Sequence, residues 1–231
     1  MLPRSPFESR ALVAAGVAIL IGVFSIWLLS PMSRLGTSLA ETSYDWSQEM
    51  LPETGLSNSP VVIVYLDLES YRAEKQNPVE PWSRALHAKL LDRLTTAGAK
   101  AVVFDIIFDE AATSSEANQQ FAAAMRANGQ VVLAGEITRS SRNTAEMEGF
   151  KSVEYSLPAP MFLKAAAAWG TASLRADSDF VVRQYFPGFM QERPSLTAAA
   201  ARVAGLPAQN ITDARWVRYY GGPLAIPHVS Y

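Results

Sequence analysis

The sequence predicts an α/β fold: an N-terminal transmembrane helix, then a mixed, mainly parallel sheet built on a βαβαβ core with flanking helices. Two observations predict the core. Residues 60–67 and 101–108 are apolar runs rich in β-branched side chains, as in strands buried on both faces. Between them, leucines recur at helical spacing over residues 81–98. A strand, a helix and a strand in this order predict parallel strands joined by a right-handed crossover.

The elements of the core have recognisable ends. Ser83 can cap the first helix, and Gly98 stands where a left-handed residue ends it. A second helix is predicted to begin at Thr113-x-x-Glu116, which has the form of a capping box, and to end at Asn128-Gly129. Residues 130–136 then form a third strand of the same parallel type.

The N-terminus has the pattern of a membrane anchor. Residues 1–10 form a short polar tail, and residues 11–30 are uncharged and mostly apolar, enough helix to span about 30 Å. A cleaved signal peptide has a shorter apolar core followed by a small-x-small site, so a retained helix fits better. Arg4 and Arg10 place the tail in the cytoplasm by the positive-inside rule, and the rest of the chain outside.

Residues 31–59 form a connector between this helix and the domain at residues 60–231. Its apolar side chains recur three and four residues apart, which predicts an amphipathic helix followed by a loop. That helix either lies on its own domain or pairs with the same helix of a second copy. We expect the second arrangement, which makes the chain a homodimer. The residues of this seam are Met32, Leu35, Leu39, Thr42 and Trp46.

The rest of the chain is predicted from shorter signals. The expected elements are a mobile polar loop at 139–153, an Ala-rich helix at 161–169, a strand pair at 170–174 and 180–186, a capped helix at 194–203 that ends near Gly205, and a strand at 214–220.

Composition excludes several functions. The net charge is −2 with 18% charged residues, so no basic surplus points to a nucleic-acid partner. The absence of cysteine excludes disulfides, thiolate catalysis and Cys-based zinc sites. His87 and His228 are the two imidazoles, so any metal would depend on carboxylates and would be a hard cation. No cofactor is expected.

Acidic residues follow the predicted strands and are expected to converge beyond the carboxyl ends of the sheet. Such a cluster could bind a cation or an amine. Alternatively, these residues have local structural roles. Asp67, Ser70 and Asp109 then cap backbone N–H groups in turns, and Asp105 is a buried, paired carboxylate. In that case Asp105→Asn costs more stability than Asp109→Asn. The acids at the strand ends are Asp67, Glu69, Asp105, Asp109, Glu110 and Glu136.

A second group of candidates lies at the start of the first crossover helix. Trp82, Arg84 and His87 are close in sequence, and Arg84 and His87 share one helical face. They either contact a ligand at the positive end of the helix, or Arg84 pairs with Asp67 or Asp105 while Trp82 packs in the core.

Four segments in order resemble the second type of the CHASE family, the extracellular sensory domains associated with bacterial cyclases and kinases. They are residues 64–70, 81–88, 91–98 and 103–108. The resemblance extends from about Thr42 to the last residue. It includes Tyr44-Asp45, the turn with Asp177, Asp179, Val181, Val182 and Arg183, and the Pro-x-x-Ser-Tyr segment at 227–231. Phe180 stands where the family turn has glycine, which would supply a positive φ more readily.

The resemblance implies an extracytoplasmic sensory domain that passes a small-molecule or physical signal through the membrane to a cyclase or kinase, with no enzyme activity in this segment. It also implies that the domain is incomplete at residue 231. Two alternatives stay open: a metal-dependent extracytoplasmic enzyme using Asp67, Asp105 and Asp109, and a dimerisation module without a ligand. The candidate ligand-binding residues are Asp67, Glu69, Ser70, Trp82, Arg84, His87, Asp105 and Asp109.

Overall fold

The computed structural model describes residues 6–30, 33–50, 56, 59–109, 115–144, 147–189, 193–207, 214–222 and 224–231. The chain divides into two units, residues 1–56 with 218–225, and residues 57–217 with 226–231. The helices are α1 (Pro6–Leu29), α2 (Arg34–Met50), α3 (Leu68–Ala73), α4 (Arg84–Thr96), α5 (Ser115–Asn128), α6 (Pro160–Ala165) and α7 (Leu196–Val203). The strands are β1 (Ile63–Tyr65), β2 (Val102–Phe104), β3 (Val131–Thr144), β4 (Met147–Ser156), β5 (Ala168–Thr171), β6 (Gln184–Tyr185), β7 (Gly188–Phe189), β8 (Arg193–Pro194), β9 (Arg215–Trp216) and β10 (His228–Ser230).

The first unit contains α1 and α2. The Ser33 hydroxyl accepts a hydrogen bond from the Gly36 backbone N–H at 2.9 Å, which satisfies a donor in the first turn of α2. The Gln48 side chain accepts a bond of 3.0 Å from the Tyr219 N–H. In the described residues no single helix is long and apolar enough to cross a membrane; α1 and α2 meet that test only together, with a 55° bend between them. The single span expected over residues 11–30 is therefore not confirmed.

The second unit is built on a parallel sheet. β3 lies between β2 and β5 and is parallel to both, with Phe104, Leu133 and Trp169 in register across the three strands. The parallel pairing expected for residues 101–108 and 130–136 is confirmed. Beyond Gly135, β3 leaves this sheet and pairs antiparallel with β4.

Helices cover both faces of the sheet. Alternate side chains of β3 point to opposite faces, so Val131 and Leu133 pack in one hydrophobic cluster while Val132 and Ala134 pack in another. The larger cluster includes buried residues of α4, α5 and α6, and the smaller one includes Leu196 of α7. The second unit is therefore a three-layer α/β structure whose central strand is buried on both faces.

β1 differs from its prediction. It pairs in parallel with β10, with Val64 opposite Val229, and β2 pairs with β3 instead. The sequence predicts a strand over residues 60–67 that is buried on both faces. In the structure Val61 and Val62 are exposed, and the strand is shorter and only half-buried. Composition identifies a strand, but it does not identify which distant segment supplies the partner.

The polar stretch predicted as a mobile loop is a hairpin. Residues 136–144 of β3 pair with residues 147–156 of β4, from Glu136 opposite Ser156 to Thr144 opposite Met147. Antiparallel ladders tolerate polar residues on solvated faces, because backbone hydrogen bonds hold them together. The loop prediction for 139–153 is therefore wrong.

Two other strand predictions also change. Residues 168–171 form β5, so α6 ends at Ala165 and the helix expected to reach Trp169 is too long. The segments 170–174 and 180–186 do not pair with each other, since β5 pairs with β3 and β6 pairs antiparallel with β9. The predicted strand over 214–220 is limited to Arg215 and Trp216.

The helix ends largely follow their sequence signals. The Ser195 hydroxyl accepts a 3.1 Å bond from the Ala198 N–H and caps α7, and Gly205 follows with a φ of 80°. Gly98 and Gly129 have left-handed φ values after α4 and α5. Ser83 occupies the N-cap position of α4 without a side-chain cap bond. Thr113 lies outside the described residues.

Candidate functional site

A half-open groove of about 200 Å³ lies beyond the carboxyl ends of β2 and β5. Asp105, directly after β2, lines it, as do residues 171–175 at the end of β5 and residues 195–197 at the start of α7. This edge is where open α/β sheets commonly bind ligands, because successive strands deliver their following loops to one place. We call this feature the strand-end groove.

The strand-end groove carries one group of each charge. Asp105 and Arg175 both line it and are exposed, and neither side chain has a hydrogen bond or ion pair with another described residue. The Arg175 guanidinium lies 4.4 Å over the ring of Phe186. A guanidinium carries five N–H donors, so a cation–π contact with one ring leaves donors for another partner.

Hydroxyl groups also line the groove. Thr171 donates to the Ser173 hydroxyl at 2.9 Å, and the hydroxyls of Tyr185 and Ser195 lie 3.1 Å apart. Ser173 also bridges to β3, since it accepts from the Ile137 N–H and donates to the Ile137 carbonyl at 3.3 Å each. These contacts fix the positions of the hydroxyls. The Ser173 hydroxyl donates once and accepts twice, so it is fully used, whereas the Tyr185 hydroxyl keeps hydrogen-bonding capacity.

Gly170 allows α7 to approach the sheet at the groove. A Cβ at Gly170 would lie 2.6 Å from the Ser195 carbonyl oxygen and 2.7 Å from the Leu196 Cα, both backbone atoms. Glycine therefore permits a contact between β5 and the start of α7 that any larger residue prevents.

A separate cluster joins Asp67, Ser70, His87, Ser230 and Tyr231, of which Ser70 and His87 are buried, and we call it the Tyr231 cluster. The Tyr231 hydroxyl and His87 Nδ1 lie 2.9 Å apart. The Tyr231 N–H donates to the Ser70 hydroxyl at 3.1 Å, and the Ser230 hydroxyl donates to Asp67 Oδ2 at 2.7 Å. These bonds hold the end of β10 against α3 and α4.

Asp67 has the capping role that the sequence allowed. Its Oδ1 accepts bonds from the N–H and the hydroxyl of Ser70, at 2.8 and 2.7 Å. The bonds from Ser70, followed by that from Ser230, lower the pKa of Asp67 to about 2. Asp67 thus stays ionised at the start of α3, where the helix dipole also favours a negative charge.

His87 is enclosed by aromatic rings and is 1% exposed. The rings of Phe104, Phe108, Phe121 and Tyr231 lie between 5.3 and 5.6 Å from its imidazole. Burial, followed by the charge of Arg84, lowers the pKa of His87 to about 3. The imidazole is therefore neutral near pH 7, and its Nε2 has no hydrogen-bond partner in the described part of the chain.

Arg84 and Trp82 are also buried, each 4% exposed. The Arg84 guanidinium lies 4.6 Å over the Phe108 ring, and burial lowers its pKa while Asp109 acts in the opposite direction. Trp82 packs edge-on against Tyr231 at 5.1 Å. Burial raises the pKa of Tyr231, and the nearby Trp82 indole acts in the opposite direction. The Trp82 N–H itself has no hydrogen-bond partner among the described residues.

The family-like turn at residues 177–183 is held by ion pairs. Arg183, 3% exposed, donates to Asp177 at 3.0 Å and to Asp179 at 2.7 Å. The Arg183 hydrogen bond is the main reason that the pKa of Asp179 falls to about 2. Phe180, at the glycine position of the family turn, has a φ of 66° and is 90% exposed.

Phe180→Gly is expected to stabilise the protein by about 1 kcal/mol. A left-handed conformation costs a non-glycine residue about 1–2 kcal/mol, and the greater entropy of unfolded glycine offsets part of the gain. The exposed ring contributes little packing. Urea denaturation of the variant should give a higher midpoint than wild type, whereas Leu174→Gly, at an exposed site without a positive φ, should give a lower one. A lower midpoint for Phe180→Gly would show that the ring stabilises the turn.

The structure separates the predicted site residues into two places. The Tyr231 cluster and its surroundings bring together Asp67, Ser70, Trp82, Arg84 and His87, with Asp109 close enough to act on Arg84. Asp105 lies in the strand-end groove, and Glu69 is exposed on the first turn of α3.

Three specific expectations are corrected. Asp105 is exposed, because Phe104 takes the core-facing position and the strand ends there. The expected buried pair is therefore wrong, and the larger stability cost of Asp105→Asn no longer follows from it. Arg84 makes no ion pair with Asp67 or Asp105 among the described residues. In the same residues no group of three or more acidic or histidine side chains could hold a metal ion, so Asp67, Asp105 and Asp109 do not form one.

Sequence reasoning did not select Arg175, Ser230 or Tyr231 as site residues. Ser230 and Tyr231 belong to a segment that resembles the family, and that was the available signal. Arg175 lies in a predicted connection between strands, where nothing in the sequence indicates that Phe186 stacks on it.

Fold and groove together define a three-layer α/β domain with a small-molecule-sized depression at its strand ends. The family model of the CHASE2 domain matches residues 16–231, and the chain therefore belongs to the CHASE2 family, a family of sensory, non-catalytic domains. The resemblance seen in the sequence is confirmed. Comparison with curated proteins gave no match, and comparison with solved structures gave none either.

Proposed function

We propose that this chain is the membrane-anchored, extracytoplasmic sensory domain of a bacterial receptor whose output is a cyclase or a kinase. The observation that carries the proposal is the match to the CHASE2 domain over residues 16–231. The segment itself receives a signal and catalyses no reaction.

The character of α1 supports the anchor. Its apolar side chains are exposed in the structure, and Ile19, Leu20 and Ile26 are each more than 60% exposed. Side chains of this kind are stable in lipid, and a helix that is apolar all round is typical of a membrane span. Arg4 and Arg10 before the apolar run favour a cytoplasmic N-terminus.

The connector α2 is suited to pass the signal on by pairing with a second copy. Leu35, Leu39 and Trp46, at helical spacing, are all exposed. In a homodimer these side chains pack against their equivalents, and a change in that packing reaches the membrane helix through the chain.

Reporter fusions test the topology on which this proposal depends. Alkaline phosphatase is active only when exported, so a fusion after Ser59 should be active. A matched fusion after Arg10, before the apolar run, should be inactive. An inactive Ser59 fusion with normal expression would place the domain in the cytoplasm and overturn the proposal.

A further inference from the structure

We infer that the strand-end groove binds a small zwitterion, an α-amino acid with an apolar side chain. The groove presents a carboxylate and a guanidinium together with a lining that is mostly apolar. An α-amino acid carries the complementary ammonium, carboxylate and apolar groups within one small molecule.

The charged ends of the ligand have their partners in Asp105 and Arg175. Asp105 can accept from the ammonium, and the in-plane N–H groups of Arg175 can donate to the carboxylate. Because neither side chain forms an ion pair with another described residue, binding would break no ion pair in that part of the chain. The ring of Phe186 holds the guanidinium at the groove before the ligand arrives.

The size and lining of the groove define the rest of the ligand. A volume of about 200 Å³ is below the roughly 300–1,000 Å³ of sites for drug-sized molecules. Leu174, Val182 and Val217 line it and offer apolar surface to an aliphatic side chain. Hydroxyls of Tyr185 and Thr197 add hydrogen-bonding groups beside the charges.

A hard metal cation fits this groove less well. Asp105 is the one carboxylate among the described residues that line it, whereas Ca²⁺ takes about six to eight oxygen ligands, several from carboxylates. An anion alone would leave Asp105 unpaired beside it.

Calorimetric titration of the full chain in detergent, with L-leucine as the probe, tests this inference. Isoamylamine lacks the carboxylate of leucine, and isocaproate lacks the ammonium. We expect saturable binding of leucine and at least about tenfold weaker binding of each analogue, since a hydrogen bond to a charged group commonly contributes that much. No saturable binding of leucine, or equal binding of all three probes, would overturn the inference.

Charge variants identify the two partners. Asp105→Asn and Arg175→Gln should each weaken leucine binding about tenfold or more. Isoamylamine should be insensitive to Arg175→Gln, and isocaproate to Asp105→Asn. Asp92→Asn and Arg93→Gln, exposed on α4 and outside the groove, are the matched controls and should bind leucine as wild type does. Leucine binding unchanged in both groove variants would place the site elsewhere.

The biological meaning of this site rests on the proposed sensory function, but the binding test does not. An active Ser59 fusion with no leucine binding would overturn the ligand assignment alone. Leucine binding with an inactive fusion would overturn the receptor proposal and leave the binding site standing.

Discussion

Gly170→Ala is expected to lower the free energy of unfolding by about 3 kcal/mol, at the upper end of the range for overpacked interiors. The added Cβ would lie 2.6 Å from the Ser195 carbonyl oxygen and 2.7 Å from the Leu196 Cα. Both atoms belong to the backbone, so no side-chain rotation relieves the overlap. The start of α7 has to move away from β5, and with it the Leu196 side chain that is buried against Val132 and Ala134.

Urea denaturation monitored by far-UV circular dichroism measures this loss, and the chain offers a matched control. Gly222→Ala adds the same methyl group where nothing lies within 4 Å, so its midpoint should stay close to that of wild type. Equal midpoints for the two variants would show that α7 does not approach β5 so closely. The same result would remove Ser195 and Leu196 from the lining of the strand-end groove.

The parallel core could be predicted because burial on both faces leaves a strong mark on composition. Residues 101–108 and 130–136 are nearly continuous apolar runs, and the structure buries alternate residues of β3 in two different clusters. The intervening helices were recognised from leucine spacing and from the glycines that follow them, both local signals.

Pairings between distant segments could not be predicted in this way. β1 pairs with β10, more than 160 residues later, and its register depends on the fold of everything between them. The β3–β4 hairpin is polar, so it lacks the apolar alternation by which strands are recognised. In both cases backbone hydrogen bonds between the strands provide the stability. The types of amino acid in these strands therefore give little indication of the pairing.

For the site, sequence identified the residue types but not their environments. Asp67 and Ser70 were correctly expected to cap a turn, because short polar side chains after a strand commonly do so. Asp105 was placed in the core because its neighbours are apolar, yet one position after Phe104 the chain has left the strand and the side chain is exposed. Tyr231 contacts His87 across 144 positions of sequence, a separation that no local pattern encodes.

His87 should make the stability of the protein depend strongly on pH. Burial keeps the imidazole neutral in the folded chain, where its pKa is about 3, against an ordinary value of 6.5. Below pH 6.5 the unfolded chain therefore binds a proton that the folded chain does not. The stabilisation is fully present above pH 6.5 and is lost as the pH falls toward 3, by up to about 1.4 kcal/mol per pH unit.

The expected loss between pH 7 and pH 5 is about 2 kcal/mol, measured from urea midpoints at the two pH values. Asp67 and Asp179, whose pKa values are lowered to about 2, lose their contribution only below about pH 4, so this window isolates histidine. His87→Phe keeps an aromatic ring in the aromatic enclosure and should abolish most of the pH dependence. His228→Gln removes the other histidine, which is exposed, and should leave the dependence intact.

The two variants show whether the loss of stability at low pH comes from the buried His87 or from the protein as a whole. His87→Phe also removes the partner of the Tyr231 hydroxyl, so its stability at pH 7 should be lower than that of wild type. The decisive quantity is the difference between pH 7 and pH 5 within each variant, which is independent of that constant loss. If His87→Phe and wild type lose the same free energy between these pH values, His87 is accessible to protons in the folded state, and the closed aromatic packing of Phe104, Phe108 and Phe121 around it is wrong.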